Sequence, residues 1–362
     1  MTSRPAAATG PPGQQLRGRK LPGWALPALG GGVLAVTALL FAATGLAGRA
    51  GFVVVAALLY AVGQSVLSFA VEGRRQAVDR LFTTLVGLAF VLAAIPLVLI
   101  TWYTVKQGLA ALDLEFLTHS MFRIDPNEPG GGIYHAIVGT LIQSFLATLL
   151  AAPLGVLAAI YLVEYGGRRP FARVVSTFVD VMTGVPSIVA GLFIYAFWIL
   201  ALGFQKSGFA GSLALVILML PVVIRSSEEM LKLVPNDLRE ASYALGVPKW
   251  RTILKVVLPT ALGGIVTGIM LGVARIMGET APLLLLVGIN QKIEFNPFAG
   301  TVQSVPQESL PTFIFEQFQL AAGNTGSEPF KRAWGAALVL IIIIGLLSAA
   351  ARIVARFARV RG

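Results

Sequence analysis

The chain has no cysteine among its 362 residues, which excludes disulfide bonds, thiolate nucleophiles and cysteine-ligated metal sites. Charged residues make up only 12% of the chain, and there are two histidines. The dipeptide Gly-Lys, an obligatory part of the phosphate-binding P-loop, does not occur in the sequence. The chain therefore cannot bind ATP through a P-loop.

Hydrophobic residues, by contrast, make up 56% of the chain, more than a soluble domain of this size needs to fill its core. A helix needs roughly 18 or more apolar residues to cross about 30 Å of hydrocarbon. This composition predicts an all-α polytopic membrane protein. The candidate spans are residues 24–47, 51–71, 81–105, 139–163, 174–202, 209–224, 259–289 and 333–351.

The distribution of basic residues predicts the orientation of these spans. The net charge is +11, but Lys and Arg are spread between apolar runs, so nucleic acid is not an expected partner. With both termini in the cytoplasm, 19 of the 28 Lys and Arg residues lie inside and 7 outside, as the positive-inside rule requires. The first run, 24–47, is longer than the 7–15 residues of a signal-peptide core, so we expect it to be retained. Two long outer connections, 106–132 and 290–332, lack a sustained helical period and are expected to be ordered external loops or short re-entrant pieces rather than domains.

The stretch 225–259 is a polar interruption between two very apolar runs. Asn236 is a favourable helix cap, Asp237 complements the positive end of a helix, and Gly246 supplies a left-handed residue that stops it. A second short helix is expected over 249–257. The stretch is therefore predicted to be a cytosolic helix-turn-helix.

The spacing of this stretch resembles the EAA loop of ABC importer permeases, in which Glu-Ala-Ala is followed by a glycine and then by Ile-x-Leu-Pro. Here Ser replaces the second alanine and Val replaces the isoleucine. The matching positions are Glu240, Ala241, Ser242, Gly246, Val256, Leu258 and Pro259.

The resemblance implies that this loop docks on a separate ATPase subunit, which would hydrolyse ATP with Mg²⁺. Small side chains at Ala241 and Ser242 would allow the first helix to lie close in a groove of the partner. Glu240 would supply a charged contact at the rim, and Gly246 a turn that a side chain would obstruct. The alternative is a solvated amphipathic loop stabilised by its own caps.

The seventh run contains Arg275 and Glu279, whose four-residue spacing predicts that they share a helix face. One interpretation is a structural ion pair that lowers the cost of a charge in the membrane. The other is an oxyanion site, in which Arg275 forks onto two oxygens. Glu279 would then favour phosphate over sulfate, because only phosphate has a proton to donate at neutral pH. Pro282 is expected to end or kink this helix.

Three further motifs narrow the resemblance to the PstA family, the permeases of the high-affinity phosphate ABC importer. They are ARIMGETAPLL at 274–284, GVPSIVAGLF at 184–193 and LPVVIRSSEE at 220–229. The resemblance covers residue 81 to the C-terminus and implies a six-helix type I ABC permease core in a bacterial plasma membrane. The implied partners are a homologous PstC-type permease, a PstB-type ATPase dimer and a PstS-type phosphate-binding protein.

In that family pattern Arg275 contacts phosphate with Glu279 as its partner, and Arg225 and Ser187 are further candidates. Arg225 is equally well explained as a positive-inside residue that extends its charge to the interface, and Ser187 as part of a packing kink. Asp180 is expected to be a capping or interfacial residue. Gly264, Gly268 and Gly272 are expected to permit close helix contact. The two histidines, His119 and His135, are assigned no role.

The predicted organisation is a tail at 1–23, an extra pair of membrane helices at 24–80 and a permease domain at 81–362, with its loop at 225–259. We expect a transport subunit that is not itself an enzyme and binds no cofactor. The alternatives are an importer of another oxyanion, such as sulfate or molybdate, and a secondary transporter driven by a proton at Glu279. An intramembrane enzyme would need a catalytic constellation, and neither a paired aspartate motif nor HExxH occurs.

Overall fold

The computed structural model of the protein describes residues 20–45, 48–167, 169–300 and 306–360. Over these residues the chain is helical and has no β-strand. It divides into two compact units, Met1–Thr101 and Trp102–Gly362. Most of the predicted N-terminal tail, residues 1–19, lies outside the described residues.

The first unit contains α1 (Ala25–Thr44), α2 (Arg49–Glu72) and most of α3 (Arg74–Gly108). The Glu72 carboxylate, only 1% exposed, is paired with Arg80 of α3 at 2.7 Å and accepts a hydrogen bond from the Leu21 N–H at 2.8 Å. A buried carboxylate needs such partners, and they fasten α3 to α2. The predicted domain boundary after residue 80 stays a prediction; residue 80 lies inside α3, and the first compact unit extends to Thr101.

The second unit is built from helices of very different lengths. The short α4 (Leu114–Thr118) precedes α5 (Tyr134–Ile160), which continues as a π-helical segment at Tyr161–Gly166. The remaining helices are α6 (Pro170–Thr183), α7 (Ser187–Ile194), α8 (Gly208–Lys232), α9 (Asn236–Ala244), α10 (Lys249–Thr252), α11 (Leu258–Met277), α12 (Ala281–Leu286), α13 (Leu310–Ala321) and α14 (Glu328–Val360).

Seven helices among the described residues are long and apolar enough to cross a membrane. An eighth crossing exists only if α6 and the segment Ser187–Ala201 form one span, and these two are bent by 108°. The predicted span 174–202 is therefore divided by a sharp break, at the kink that the sequence places next to Ser187. The break lies at Pro186, which has an extended backbone (ψ 139°) and lacks the N–H that a continuous helix would use.

The predicted boundaries of the next two spans also need correction. Helix α8 runs to Lys232 rather than ending near Ile224. Residues Lys249–Met277 form one helical span of 29 residues, so 249–257 is not a separate helix. This span ends at Met277, before Pro282, which lies in the first turn of α12, where the missing proline N–H is not needed.

Helix α13 was not expected from the sequence, because the connection 290–332 has no long apolar period. Its start is specified locally by a capping box, in which the Ser309 hydroxyl accepts from the Thr312 N–H and Thr312 reciprocates, followed by Pro311 in the first turn. The helix lies at the end of the unit where α5 and α8 begin, since Leu310 donates its N–H to Thr140 of α5 at 2.7 Å. We call this the α13 end, and the opposite end of α5 and α8 the α9 end.

Helices α8 and α11 pack closely along a stripe of three glycines. A Cβ on Gly264 would collide with Met230, and one on Gly268 would collide with Ser226. A Cβ on Gly272 would lie 3.1 Å from Met219. The prediction of close helix contact at this four-residue spacing is therefore confirmed.

Replacement of Gly268 by leucine is expected to lower the thermal stability of the protein, because a side chain there must displace Ser226. Overpacking of this kind costs about 1–3 kcal/mol. The matched control is Gly345→Leu in α14, where an added Cβ meets no atom within 4 Å. Thermal unfolding in detergent measures the difference, and an equal change in the melting temperatures of both variants would contradict the close packing.

Candidate functional site

Helix α9 and the turn after it form the first part of the candidate site, and Gly246 ends it as predicted. Gly246 has φ +74° and donates its N–H to the Tyr243 carbonyl at 2.9 Å. Asp237 lies in the first turn. The predicted side-chain cap is wrong, because Pro235 occupies the capping position and Asn236 is the first helical residue.

The residues of this loop that match the EAA pattern differ in their exposure. Glu240 and Ala241 are exposed, and the Glu240 side chain makes no hydrogen bond or ion pair in the described part of the chain. Ser242 is buried and its hydroxyl lies 2.8 Å from that of Thr252. Ser242 thus connects α9 to the start of the next span; the expectation that the small residues Ala241 and Ser242 let α9 lie close in a partner's groove stays a prediction.

The last two signature residues lie within a continuous span rather than in the loop. Leu258 packs against a buried cluster that includes Ala159 of α5, Leu231 of α8 and Val257. Pro259 is exposed in the first turn of α11. The Leu-Pro pair thus lies where α11 begins and packs against the bundle.

Arg239 connects α9 rigidly to two long helices, a role the sequence did not indicate. Its guanidinium donates to the Glu164 carboxylate at 2.8 and 3.0 Å, and to the carbonyls of Leu231 and Val234 at 2.9 and 2.6 Å. Both side chains are largely buried, at 12% and 5% exposure for Arg239 and Glu164. The Lys249 ammonium also donates to the Glu164 carbonyl. The sequence shows Glu164 as an acidic residue at the end of an apolar run, but it does not show that Arg239 is its partner.

An open groove of about 430 Å³ lies beside this network, lined by residues that include Glu164, Arg239, Glu240 and Tyr243. The groove lies between α9 and the bundle, because Arg239 and Glu164, which fix α9 to the bundle, are among its lining residues. A protein that binds α9 would therefore move α5 and α8 together with it.

Two breaks in the spans form the second part of the candidate site. One separates α6 from α7 at residues 184–186, and the other separates α11 from α12 at 278–280. The two following helices touch where a Cβ on Gly191 would lie 2.7 Å from the Pro282 Cα. Only glycine permits this close approach. The breaks are therefore held next to each other by the contact between α7 and α12.

The structure places the predicted substrate residues around these breaks, but it does not join them. Arg275 is exposed in the last turn of α11, whereas Glu279 lies beyond the end of that helix and is half-buried. The expectation of a shared helix face is wrong, because the helix ends at Met277. In the described part of the chain no ion pair links the two side chains. Ser187 is the half-buried first residue of α7, next to the first break.

Arg225 lies in an ion network between α6 and α8. It contacts the Asp180 carboxylate, donates to Glu228 at 2.5 Å and donates to the Ser176 carbonyl at 2.9 Å. Asp180 is therefore an ion partner of α8 and not a helix cap. The spacing of Arg225 and Glu228 is readable in the sequence as an i,i+3 pair, but the partners on α6 are not.

The depth of Arg225 differs from the sequence expectation. Its neighbour Ser226 lies against Gly268, and Arg275 is seven residues further along α11. At 1.5 Å per residue, the two arginines are separated by about 10 Å along the helix direction. Arg225 is therefore an internal residue of α8 rather than the end of a span.

Comparison with known proteins identifies the family. The family model described as "Binding-protein-dependent transport system inner membrane component" matches residues 151–360, more than half of the chain, including both breaks and α9. The chain belongs to this family of transport system membrane components. The resemblance to ABC importer permeases is thereby confirmed at the level of the family.

Individual similar proteins indicate which members of this family the chain resembles. The chain is 48% identical over 289 residues to phosphate transport system permease protein PstA 1 of Mycobacterium tuberculosis, covering 80% of this chain and 91% of that protein. It is 48% identical over 286 residues to PstA of Mycobacterium leprae, covering 78% and 91%. For PstA of Yersinia pestis the identity is 41% over 258 residues, covering 71% and 83%. The resemblance to the PstA family is therefore confirmed.

A solved structure supports the fold. A bacterial alginate ABC transporter in complex with an alginate pentasaccharide-bound periplasmic protein superimposes on this chain with a TM-score of 0.50. The sequence identity is 15%, with coverage of 75% of this chain and 94% of that one. The all-helical membrane permease fold predicted from the sequence is confirmed.

Proposed function

We propose that this chain is the transmembrane permease subunit of an ATP-driven inorganic phosphate importer and forms half of its translocation path. The observation that carries the proposal is the 48% identity to PstA 1 over 289 residues, a stretch too long to reflect the shared fold alone. Transport by a permease needs no reaction catalysed by this chain. ATP and Mg²⁺ are used by a separate subunit.

The proposed assembly contains four kinds of subunit. A PstC-type permease supplies the other half of the path, a PstB-type ATPase dimer docks on α9, and a PstS-type protein delivers phosphate. The protein lies in the bacterial inner membrane with both termini and the α9 end in the cytoplasm, which the excess of basic residues on that side supports. The α13 end then faces outward.

Within this assembly Arg275 is the proposed phosphate ligand. It is exposed and has no ion pair among the described residues, so its guanidinium is available to fork onto two phosphate oxygens. Glu279, in the non-helical segment between α11 and α12, would accept the proton that phosphate carries. Ser187 lines the neighbouring break.

Arg225 would bind phosphate in a different way. Its guanidinium is already engaged with Asp180 and Glu228, and the Asp180 side chain is 64% exposed. Phosphate would have to replace the exposed Asp180 carboxylate, and this exchange would release α6 from α8. The proposed role of Arg225 is therefore to hold α6 and α8 together until phosphate replaces the Asp180 carboxylate.

The proposal is tested by uptake of radiolabelled phosphate into proteoliposomes that contain the permease pair and the ATPase, with the binding protein outside. We expect uptake to require ATP in the vesicle lumen and to persist when a protonophore is added. Collapse of uptake with the protonophore would indicate a secondary transporter. Equal competition by sulfate or molybdate would indicate an importer of another oxyanion.

A further inference from the structure

An apolar groove of about 300 Å³ lies between the last turns of α2 and the first turns of α3, within the first unit. We call it the hairpin groove. Its lining residues belong neither to α9 nor to the two helix breaks. They are Ser65, Val66, Phe69, Arg74, Ala77, Val78 and Leu81. Arg74 is the one charged residue among these seven.

Polar contacts beside the groove hold the two helices together. The Gln64 side chain donates to the Thr84 hydroxyl at 2.8 Å and to the Arg80 carbonyl at 3.1 Å. The Arg80 guanidinium pairs with the buried Glu72 carboxylate at 2.7 Å. These contacts set the separation of α2 and α3, and therefore the shape of the groove, without using the side chains that line it.

The surface of the groove is suited to an acyl chain. Ala77 at its base is buried and Ser65 is half-buried, whereas Val66, Phe69 and Val78 are exposed. Both helices belong to spans that are long and apolar enough to cross a membrane, so the exposed side chains face hydrocarbon. A water molecule needs two or more polar partners, and the apolar side chains here offer none. A lipid tail, by contrast, needs only apolar contact.

Arg74 lies at the polar end of the groove. Helix α2 ends at Glu72 and α3 begins at Arg74, so this is where the chain turns back into the membrane. Arg74 and Leu81 are seven residues apart in α3, which is about 10 Å along the helix. One leaflet of hydrocarbon is about 15 Å deep. A phospholipid with its phosphate at Arg74 would therefore have the first part of its tail in the groove.

The charge of Arg74 determines which headgroup fits. Arg74 is exposed and has no ion pair among the residues that the structure describes. A guanidinium binds two phosphate oxygens in a forked geometry. The seven lining residues include no carboxylate that could pair with the ammonium group of a zwitterionic lipid. The groove therefore favours a headgroup with a net negative charge.

The headgroup, and not the tail, must provide the selectivity. Lipid tails are as apolar as the side chains of the groove, so the hydrophobic effect does not drive a tail from the bilayer into it. A basic residue near the membrane surface, however, attracts anionic lipids. The groove fixes the position of the lipid, and Arg74 discriminates between headgroups.

We propose that the hairpin groove is a binding site for an anionic phospholipid, whose phosphate binds Arg74 and whose tail lies between α2 and α3. The first unit then has a lipid-binding role of its own. The proposal uses the orientation proposed above, in which Arg74 is at the cytoplasmic side. It depends neither on the transported anion nor on the ATPase.

Native mass spectrometry of the full chain, delipidated in detergent, tests the proposal. The anionic probe is phosphatidylglycerol, and the zwitterionic probe is phosphatidylcholine with the same acyl chains. We expect the first phosphatidylglycerol to bind at least about fivefold more tightly than phosphatidylcholine, the factor that one basic residue near a membrane surface contributes. Arg74→Gln is expected to remove this preference. The matched control is Arg75→Gln, which removes a neighbouring exposed arginine that does not line the groove and should keep the preference.

A second pair of variants tests the groove itself. Ser65→Phe places a ring in the groove and is expected to abolish this binding event for both lipids. Its control is Val62→Phe, at an exposed position one turn earlier in α2 that does not line the groove, and it should bind as the wild type does. Thermal unfolding shows whether Ser65→Phe is folded. If it is not, Arg74→Gln, a change at an exposed position, decides the proposal.

The proposal is overturned if Arg74→Gln and Arg75→Gln lower the preference equally, because a diffuse surface charge would then explain it. It is also overturned if folded Ser65→Phe binds lipid as the wild type does. Glycerol phosphate carries the anion without the tails, and its competition at equal concentration would indicate a site for a free phosphate compound instead. The last measurement uses the complex purified from its native membrane. Loss of the Arg74-dependent binding there would show that a partner protein, and not a lipid, covers the groove.

Discussion

Replacement of Arg275 by glutamine is expected to reduce phosphate uptake at least about 100-fold while the subunits still assemble. Arg275 is exposed in the last turn of α11 and has no ion pair among the described residues, so its removal leaves no buried partner unpaired in this chain. Loss of one member of a hydrogen-bonded charge pair costs about 2–5 kcal/mol, and about 1.4 kcal/mol corresponds to a tenfold change. Uptake in proteoliposomes and co-purification of the ATPase measure the two effects separately.

The matched control is Arg173→Gln on α6, which removes an exposed arginine without an ion pair in the described chain. We expect it to transport normally. If Arg275→Gln prevents assembly, Arg275 has a structural role, and if it transports normally, it does not bind the substrate. Glu279→Gln extends the test, because the proton-donation hypothesis requires this variant to discriminate less well between phosphate and sulfate.

The parts of the site that depend on local spacing were predictable from the sequence. Gly246 ends α9 because a left-handed turn needs glycine, and the glycines at 264, 268 and 272 line one face of α11 because four residues are about one helical turn. The membrane helices were predictable for a similar reason, since hydrocarbon thickness sets their length. The errors in their ends have one cause: apolar runs show where the chain is hydrophobic, not where its backbone hydrogen bonds stop.

The helix breaks and the long-range contacts were harder to predict from the sequence. Pro186 and Pro282 were visible as interruptions, but the 108° bend and the end of α11 at Met277 depend on how α7 packs against α12. The pairs Arg225–Asp180, Arg239–Glu164 and His135–Glu308 join residues far apart in the sequence. Neither periodicity nor motif spacing reports such contacts, so the sequence predicts no role for His135 or Glu308.

The second large effect is expected from Arg239→Ala, which should uncouple ATP hydrolysis from transport. The substitution leaves the Glu164 carboxylate, 5% exposed, without its partner. It also removes the hydrogen bonds from α9 to the carbonyls at the end of α8. Breaking a buried ion pair in this way costs about 3–5 kcal/mol. We expect phosphate transported per ATP hydrolysed to fall at least about tenfold, because α9 still binds the ATPase but no longer moves α5 and α8.

Two comparisons distinguish loss of coupling from loss of binding. Glu240→Ala changes an exposed residue of α9 and is expected to weaken association with the ATPase without altering the ratio of transport to hydrolysis. The second comparison is Lys232→Ala. It removes the ion pair between Glu228 and Lys232, whose side chain is 61% exposed, and such surface pairs contribute at most about 1 kcal/mol. If Arg239→Ala and Glu240→Ala produce the same defect, the network behind α9 does not transmit its motion. If only Arg239→Ala lowers the ratio of transport to hydrolysis, the contacts of Arg239 with the bundle transmit the motion of α9 when the ATPase is bound to it.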